Sequence, residues 1–420
     1  FRLPEAGAKA MGMGFAFTAQ ADDPSAIYFN PAGIMQLEGT NVMVGATYIR
    51  ENGATFTGTT PVQPTSTTET QKDLNFVVPN AYITRKVSSN FAYGVGIFTP
   101  FGLGQEYKNR HDSVFRNQIT KIDLQTVVVN PTVAFKVNDV LMVGAGIDYM
   151  YGKAKLEKTG VVNNAVPVPP IGNSPLDIFL LDLDGDGDAW AYNFGLLLKP
   201  SQNLKIGFSF RSPFTLEIRE GDVKLTDISS TSIIALGASA QAVFGGSTFN
   251  TKGSTKISMP ATAALGVAYV KDRLTLEVDA DWTGWRSYQS LIIDIKNNTA
   301  LLPDSSSTKD WKNVVALRIG GEYRVTDPLA LRLGFAYDPT PVPANTMDPS
   351  LPDATRLNYM AGVGYKYKNW TFDGSYFYVD KKDRTVSNQV NPSYPSYGTG
   401  FNGKWTGDAH LLAFDVGYKF

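Results

Sequence analysis

The feature that most constrains this chain is a strict two-residue alternation that returns from one stretch to the next. Near the end, Leu412, Phe414, Val416, Tyr418 and Phe420 alternate with Ala413, Asp415, Gly417 and Lys419. Leu274, Leu276, Val278, Ala280 and Trp282 alternate with Thr275, Glu277, Asp279 and Asp281. The same rhythm runs through 317–324, 329–337 and 357–366. A strand sends successive side chains to opposite faces, so each stretch predicts a strand with one apolar face and one small or charged face.

Periodicity alone does not say which face meets solvent. Two features favour an outward apolar face, in lipid, over the inward apolar face of a soluble sandwich. Aromatic residues gather toward strand ends (Trp282, Tyr323, Tyr337, Tyr365, Tyr418, Phe420), where interfacial girdles lie. The polar faces mix Gly and Ala with charges of both signs, as a crowded interior requires, and Glu277, Asp279 and Asp281 are expected to pair across it with Arg318 and Arg332. No stretch approaches the roughly 18 apolar residues of a membrane helix, but a closed barrel also satisfies every backbone group in lipid. The chain opens at Phe1 without a charged-then-apolar leader, so an exported protein would already have lost it.

Composition removes several alternatives. The 38 basic and 39 acidic residues leave no basic excess for nucleic acid. There is no Cys, hence no disulfide or thiolate site, and the two histidines, His111 and His410, make a multi-histidine metal site improbable.

Short polar turns at 87–90, 138–139, 200–203, 271–272, 326–328 and 368–369 alternate with long connections at 51–74, 100–120, 158–186, 220–252, 297–310, 340–354 and 381–404. Short periplasmic turns and longer external loops are the habit of bacterial barrels, and the count gives fourteen strands with both termini periplasmic. They are expected at 41–50, 75–86, 90–100, 121–137, 139–157, 187–200, 203–219, 253–270, 272–296, 311–325, 328–340, 355–368, 369–380 and 404–420. The expected fold is therefore all-β, a 14-stranded antiparallel transmembrane β-barrel over 41–420 in the outer membrane of a Gram-negative bacterium. Residues 1–40, rich in Gly and Ala and without alternation, read as turns and short helices that would plug a lumen otherwise wide enough to leak.

Several segments, in order along nearly the whole chain, resemble the FadL family of outer-membrane transporters for hydrophobic compounds. They are Ala21-Asp22-Asp23-Pro24 with Asn30-Pro31-Ala32, Asn130-Pro131, Gly185-Asp186-Gly187-Asp188-Ala189-Trp190-Ala191-Tyr192, Tyr337-Asp338-Pro339-Thr340-Pro341-Val342-Pro343, and Leu351-Pro352-Asp353-Ala354-Thr355-Arg356. The resemblance implies an amino-terminal hatch, capture of a hydrophobic ligand among external loops, a tighter inner site beside the hatch, and sideways exit through a gap made by an inward kink in the third strand. Thr99, Pro100, Phe101 and Gly102 stand where that kink would be: Pro100 removes a ladder donor and Gly102 weakens the strand. Read without the family, Thr99-Pro100 simply ends a strand.

The other candidate sites keep two readings each. Asn30, Pro31 and Ala32 are a rigid turn before a short helix, or the hatch motif that gates the exit. Phe1 and Leu3 are a movable apolar end that lines the inner site, or an unordered terminus. Lys158 and Lys309 fall near positions where relatives hold an acidic headgroup, or are solvated loop lysines. Phe101, Leu103, Phe115 and Phe179 give the loops 100–120 and 158–186 an apolar character suited to capture, or those loops pack on each other. The run Asp182–Asp188 resembles a calcium loop, but its twelfth position is Asn193 rather than Glu. His111-Asp112-Ser113 is a tripeptide, not the spatial arrangement a catalytic triad needs. The sequence therefore predicts a carrier rather than an enzyme. It is expected to be a monomer without cofactor or metal, with outer-membrane lipid and lipopolysaccharide around it and a fatty acid or hydrocarbon as ligand. An aromatic-hydrocarbon channel of the same family and a general porin for polar solutes are the alternatives.

Overall fold

The alternation becomes strands throughout a computed structural model that describes residues 2, 4–61, 63–109, 112–162, 176–228, 246–298, 304–388 and 400–420. In order the strand segments are β1 (Thr40–Thr60), β2 (Gln63–Thr70), β3 (Leu74–Lys86), β4 (Phe91–Phe98), β5 (Gly102–Glu106), β6 (Lys121–Lys136) and β7 (Leu141–Val162). There follow β8 (Leu176–Leu198), β9 (Leu204–Arg211), β10 (Phe214–Asp227), β11 (Thr248–Met259), β12 (Thr262–Lys271), β13 (Leu274–Thr283) and β14 (Ser290–Ile295). The last are β15 (Ser305–Thr308), β16 (Val314–Arg324), β17 (Leu329–Asp338), β18 (Arg356–Tyr367), β19 (Trp370–Val386) and β20 (Asn402–Lys419). Six consecutive pairs (β2/β3, β4/β5, β9/β10, β11/β12, β13/β14, β15/β16) each continue one line of the wall, so the twenty segments make fourteen wall strands. The antiparallel sheet closes where β1 pairs with β20 from Asn41↔Lys419 to Thr59↔Asn402.

The barrel is inside out relative to a soluble protein. On the outer face Leu333, Val77 and Phe414 are 72, 67 and 55 % exposed, whereas Glu277, Asp279 and Asp415 on the inner face are at most 1 % exposed. Apolar side chains bathed by lipid cost nothing there, and closure leaves no sheet edge. Tight turns carry positive φ at Asp272 (54°) and Lys368 (53°), between β12 and β13 and between β18 and β19.

The predicted order and number of strands hold, but the external connections are shorter than predicted. Strand extends into the expected loops 51–74, 158–186, 220–252, 297–310 and 381–404, through β1/β2, β7/β8, β10/β11, β15 and β19. Beyond the lipid a ladder still satisfies backbone groups, and these segments keep β-branched pairs such as Thr55 and Thr70, whose hydroxyls lie 3.3 Å apart. The Asp182–Asp188 run is therefore the middle of β8, with Asp184 and Asp186 opposite Lys155 and Lys153, and not a metal-binding loop. Three of the breaks within wall strands fall at proline: Pro100, Pro213 and Pro260.

Residues 4–39 run inside the barrel as helix α1 (Ala8–Gly12), helix α2 (Ala26–Phe29) and a 3-10 turn (Pro31–Gln36). Acidic side chains of the wall hold this segment. Asp279 accepts from the amides of Phe17 and Thr18 (3.0 Å each), Glu277 from those of Ala19 and Gln20 (2.6 and 2.8 Å), and Asp415 from that of Ala8. A buried carboxylate is tolerable when it accepts such charge-assisted bonds. The expected ion pairs are accordingly redistributed. Asp281 does pair with Arg318 (2.7 Å), on the adjacent wall strand, but Arg332 pairs with Glu322 and Asp373 (2.7 Å each). Small residues on the inner face make room: a Cβ on Gly195 would lie 2.1 Å from Asn30 Oδ1, and one on Gly334 2.0 Å from Gly14 N.

Candidate functional site

The third wall strand is where the sheet departs from regularity. β4 pairs with β3 from Lys86↔Ala92 up to Ala81↔Ile97. Above that point Pro100 offers no amide, and the strand shifts against β6: Phe98 faces Val128, yet Gly102 faces Gln125. The extra residue rotates Phe101 inward, 2 % exposed, with its ring 5.7 Å from Phe214 and 6.4 Å from Trp285. Its carbonyl accepts from Thr126 Oγ1, and its backbone bridges to Arg2 of the amino-terminal segment.

β5 consequently has no ladder with β3. Leu74–Asn80 pair with β1 on one side only, from Glu51↔Leu74 to Gly45↔Asn80. The two wall strands meet again above, at the Gln71↔Tyr107 bridge and the bond from Lys72 N to Glu106 O (2.7 Å). The break is thus a bounded window. Phe76 lies across it, close enough that a Cβ on Gly104 would come within 2.2 Å of the ring. On the lumen side β5 is tied to the segment that roofs the barrel: Gln105 Nε2 and Tyr107 Oη (2.9 Å) both donate to the carbonyl of Pro349.

Behind the window lies a cavity of about 700 Å³, within the range of small-molecule sites. Its lumen wall includes Phe15, Trp285, Trp311, Phe377, Val379 and Leu411, with Glu5, Arg318, Arg356 and the Glu51–Lys381 ion pair among them. It continues past Phe76 and Gly104 to Val77, Val127 and Tyr151, which are 67, 39 and 39 % exposed on the outer face. A smaller, almost wholly apolar cavity of about 100 Å³ lies beyond, lined by Ile122, Leu156, Leu183, Val223 and Ile293. The two share Leu103, Asp123, Leu124 and Leu351, so one partition separates them.

The other sequence candidates fall as follows. Asn30 is fully buried and joins three elements: its Nδ2 donates to Thr18 O (2.7 Å) and Leu196 O (2.9 Å), and its Oδ1 accepts from Ala32 N (3.2 Å). Pro31 opens the 3-10 turn that packs on β6, β7 and β8, and Ala32 is fully buried within it. Leu103 lines both cavities. Phe115 belongs to an aromatic cluster with Phe56, Tyr107, Phe401 and Trp405 and lines neither of them. Phe179 packs with Leu181, Val223 and Leu225 above the outer cavity. Lys158 stands opposite Leu181, and burial lowers its ammonium pKa below the ordinary lysine value. Lys309 is buried and ion-paired with Asp348 (2.7 Å) beneath the roof. Phe1, Leu3 and His111 lie outside the described residues. Sequence reasoning missed Gln105, Tyr107, Trp285 and Trp311; Arg356 was in view only as part of a motif. The Trp285 interruption of an alternating run was the readable signal.

Comparison with known proteins completes the picture. The family model for outer membrane protein transport proteins (OMPP1/FadL/TodX) matches residues 1–420. The long-chain fatty acid transport protein of Escherichia coli O6:H1 is 25% identical over 386 residues, covering 87% of this chain and 83% of the relative. Outer membrane protein P1 of Haemophilus influenzae is also 25% identical, covering 91% and 86%. Among solved structures, a Pseudomonas aeruginosa FadL homologue superposes with a TM-score of 0.81 at 22% identity, covering 100% and 99% of the two chains. The Ralstonia pickettii toluene transporter TbuX does so at 0.68 and 17%, covering 99% and 98%.

Proposed function

Because the chain belongs to the outer membrane protein transport family (OMPP1/FadL/TodX), whose members are transporters and channels rather than enzymes, we propose that it carries hydrophobic molecules passively through the outer membrane and releases them sideways into lipid. A ligand is first taken up by the apolar surface around Leu103, Leu156, Leu183 and Phe179. It passes the Leu103–Leu124–Leu351 partition into the large cavity and leaves through the window between β3 and β5. Residues 4–39 act as the hatch that denies water a straight path, and Asn30-Pro31-Ala32 fixes the hatch against the wall beside the window. Phe1 and Leu3, at the start of that hatch, are apolar enough to line the inner site.

The single observation that carries this reading is the bounded loss of pairing between β3 and β5. Unpaired backbone is not tolerated against lipid, but it is tolerated where it lines a cavity. The continuity of that cavity with Val77, Val127 and Tyr151 supports a route from lumen to lipid. Of the two lysines singled out in the sequence, Lys158 suits contact with an acidic ligand better, since Lys309 already has Asp348.

The test is Pro100→Val. Valine restores a ladder donor and a strand-favouring side chain. Uptake of a long-chain fatty acid or an aromatic hydrocarbon by whole cells is expected to fall about tenfold at matched surface expression. Uptake at the wild-type rate would rule out the window as the exit.

A further inference from the structure

At the periplasmic end the inner face of the wall carries a repeating charge. Seven wall strands run toward the short turns and finish as β3, β6, β8, β12, β16, β18 and β20. In six of them the last inward position is a cation: Lys86, Lys136, Lys199, Arg324, Lys366 and Lys419, each two residues beyond a buried inner-face residue. Lys205, at the start of β9, adds another. The ring is broken only at β12–β13, where Lys271 takes the outward face. The outward positions at the same height are instead largely a lipid-facing aromatic girdle, with Phe135, Tyr323 and Tyr365 exposed. The inward cations are thus turned away from lipid phosphates.

Acidic side chains offset this charge only in part. Lys86 pairs with Glu38 (2.5 Å) and Lys136 with Asp139 (2.6 Å), but those carboxylates are 67 and 96 % exposed, where an ion pair is worth little. Arg324 donates to the carbonyl of Asp272 (2.6 Å) and Lys205 to Gln36 Oε1 (2.9 Å). Among the described residues, Lys199, Lys205, Lys366 and Lys419 have no ion pair. The inward acids deeper in the wall are already taken: Glu277 and Asp415 by amides of the amino-terminal segment, Glu322 and Asp373 by Arg332. Burial, then Lys205, Lys86 and Lys136 in turn, push the Lys199 ammonium down to about 8 against the pull of Asp22, so it stays largely charged at neutral pH.

We propose that this inward ring of cations docks the acidic segment of a periplasmic protein, an extended stretch rich in Asp and Glu laid across the mouth of the barrel. Like charges held together repel, and a complementary anionic surface relieves that repulsion while steering the partner to this end of the barrel. The spacing favours a polypeptide. Alternate wall strands stand about 10 Å apart, and an extended chain rising roughly 3.3 Å per residue sets a carboxylate opposite each cation at about every third position. A single small anion matches one or two of them. A segment seated there also meets Gln36 and Glu38, through which Lys205 and Lys86 already touch the amino-terminal segment.

The experiment is fluorescence anisotropy of a labelled oligoglutamate peptide titrated with the full chain in phosphatidylcholine nanodiscs. Wild type is expected to bind it one to one and to ignore a Gly/Ser peptide of equal length. Lys199→Gln with Lys366→Gln and Lys419→Gln should weaken binding at least about tenfold. The same three positions changed to Arg keep the charge and should stay within about twofold of wild type, as should Arg85→Gln with Lys271→Gln on the outward face. Molar salt cuts the screening length to about 3 Å and should abolish wild-type binding, which keeps the test open should the glutamine variant not fold. No binding by wild type overturns the proposal, as does binding that the glutamine variant or molar salt leaves intact. Displacement by inorganic phosphate at matched ionic strength would make the ring a small-anion site, and displacement by glycerol phosphate alone a site for lipid heads; either result also overturns it.

Discussion

The barrel wall treats the amino-terminal segment differently on two sides. Along β13 and β16–β18 the ladders are unbroken through Thr283↔Val314, Arg324↔Ala330 and Leu329↔Tyr365. There the wall meets the amino-terminal segment with buried carboxyl groups: Glu277 and Asp279 hold four consecutive amides, Phe17 to Gln20, and Arg332 is clamped between Glu322 and Asp373. Along β3–β5 the wall has lost its ladder, and the ties to the amino-terminal segment include the Arg2–Phe101 bridge and the bond from Tyr82 Oη to Ala6 O (2.7 Å), while Gln105 and Tyr107 bond to the Pro349 carbonyl between β17 and β18. On the proposed exit route the contrast separates anchoring from movement. Buried charge-assisted bonds are costly to break and belong on the side that stays fixed. Neutral bonds worth about 1 kcal/mol each suit the side that would have to change on the proposed exit route.

The comparison breaks most visibly if the anchored side is weakened. Glu277→Gln with Asp279→Asn replaces both carboxylates by amides whose NH2 groups oppose the backbone donors they served. Losing bonds of roughly 1.5–3 kcal/mol each should speed amide exchange at residues 17–20 by roughly a hundredfold or more. It should also bring steady ion conductance in planar bilayers. Exchange and conductance like wild type would mean that packing alone holds the amino-terminal segment. The yielding side gives a smaller effect. Gln105→Leu with Tyr107→Phe frees the Pro349 carbonyl and lets β5 relax toward β3. Uptake should fall about threefold, with the melting temperature nearly unchanged. A large loss of stability instead would make these bonds a structural strut.

Most of this division was legible in the sequence, for a physical reason. Lipid demands an outward apolar row, so Leu274 to Trp282 and Leu412 to Phe420 announce both strand and orientation, and the strand count follows from the turns. Pro100 was legible as a lost ladder donor, but residue identity alone read Thr99–Gly102 as a strand end, and only the family resemblance favoured an interruption within the wall strand. What stayed hidden depended on partners distant in sequence. Glu277 and Asp279 read as ion-pair members facing Arg318 and Arg332, since nothing local says that backbone amides some 260 residues away would claim them. The roof carbonyl of Pro349 carries no signature at all, so Gln105 and Tyr107 looked like ordinary strand residues. Loop lengths were overestimated because threonine-rich ladders outside the membrane look polar enough to be loops.

The central claim is that ligand leaves between β3 and β5. The chain has no cysteine, so two introduced thiols would be its only ones. With Phe76→Cys and Gly104→Cys on either side of the window, a short reducible bifunctional thiol reagent can tie the two strands together. The most direct measurement is hydrophobic-ligand uptake by cells carrying this variant before bridging, after bridging and after reduction. Uptake that stops on bridging and returns on reduction is the predicted result. Uptake that continues unchanged through a fully bridged window would contradict lateral release.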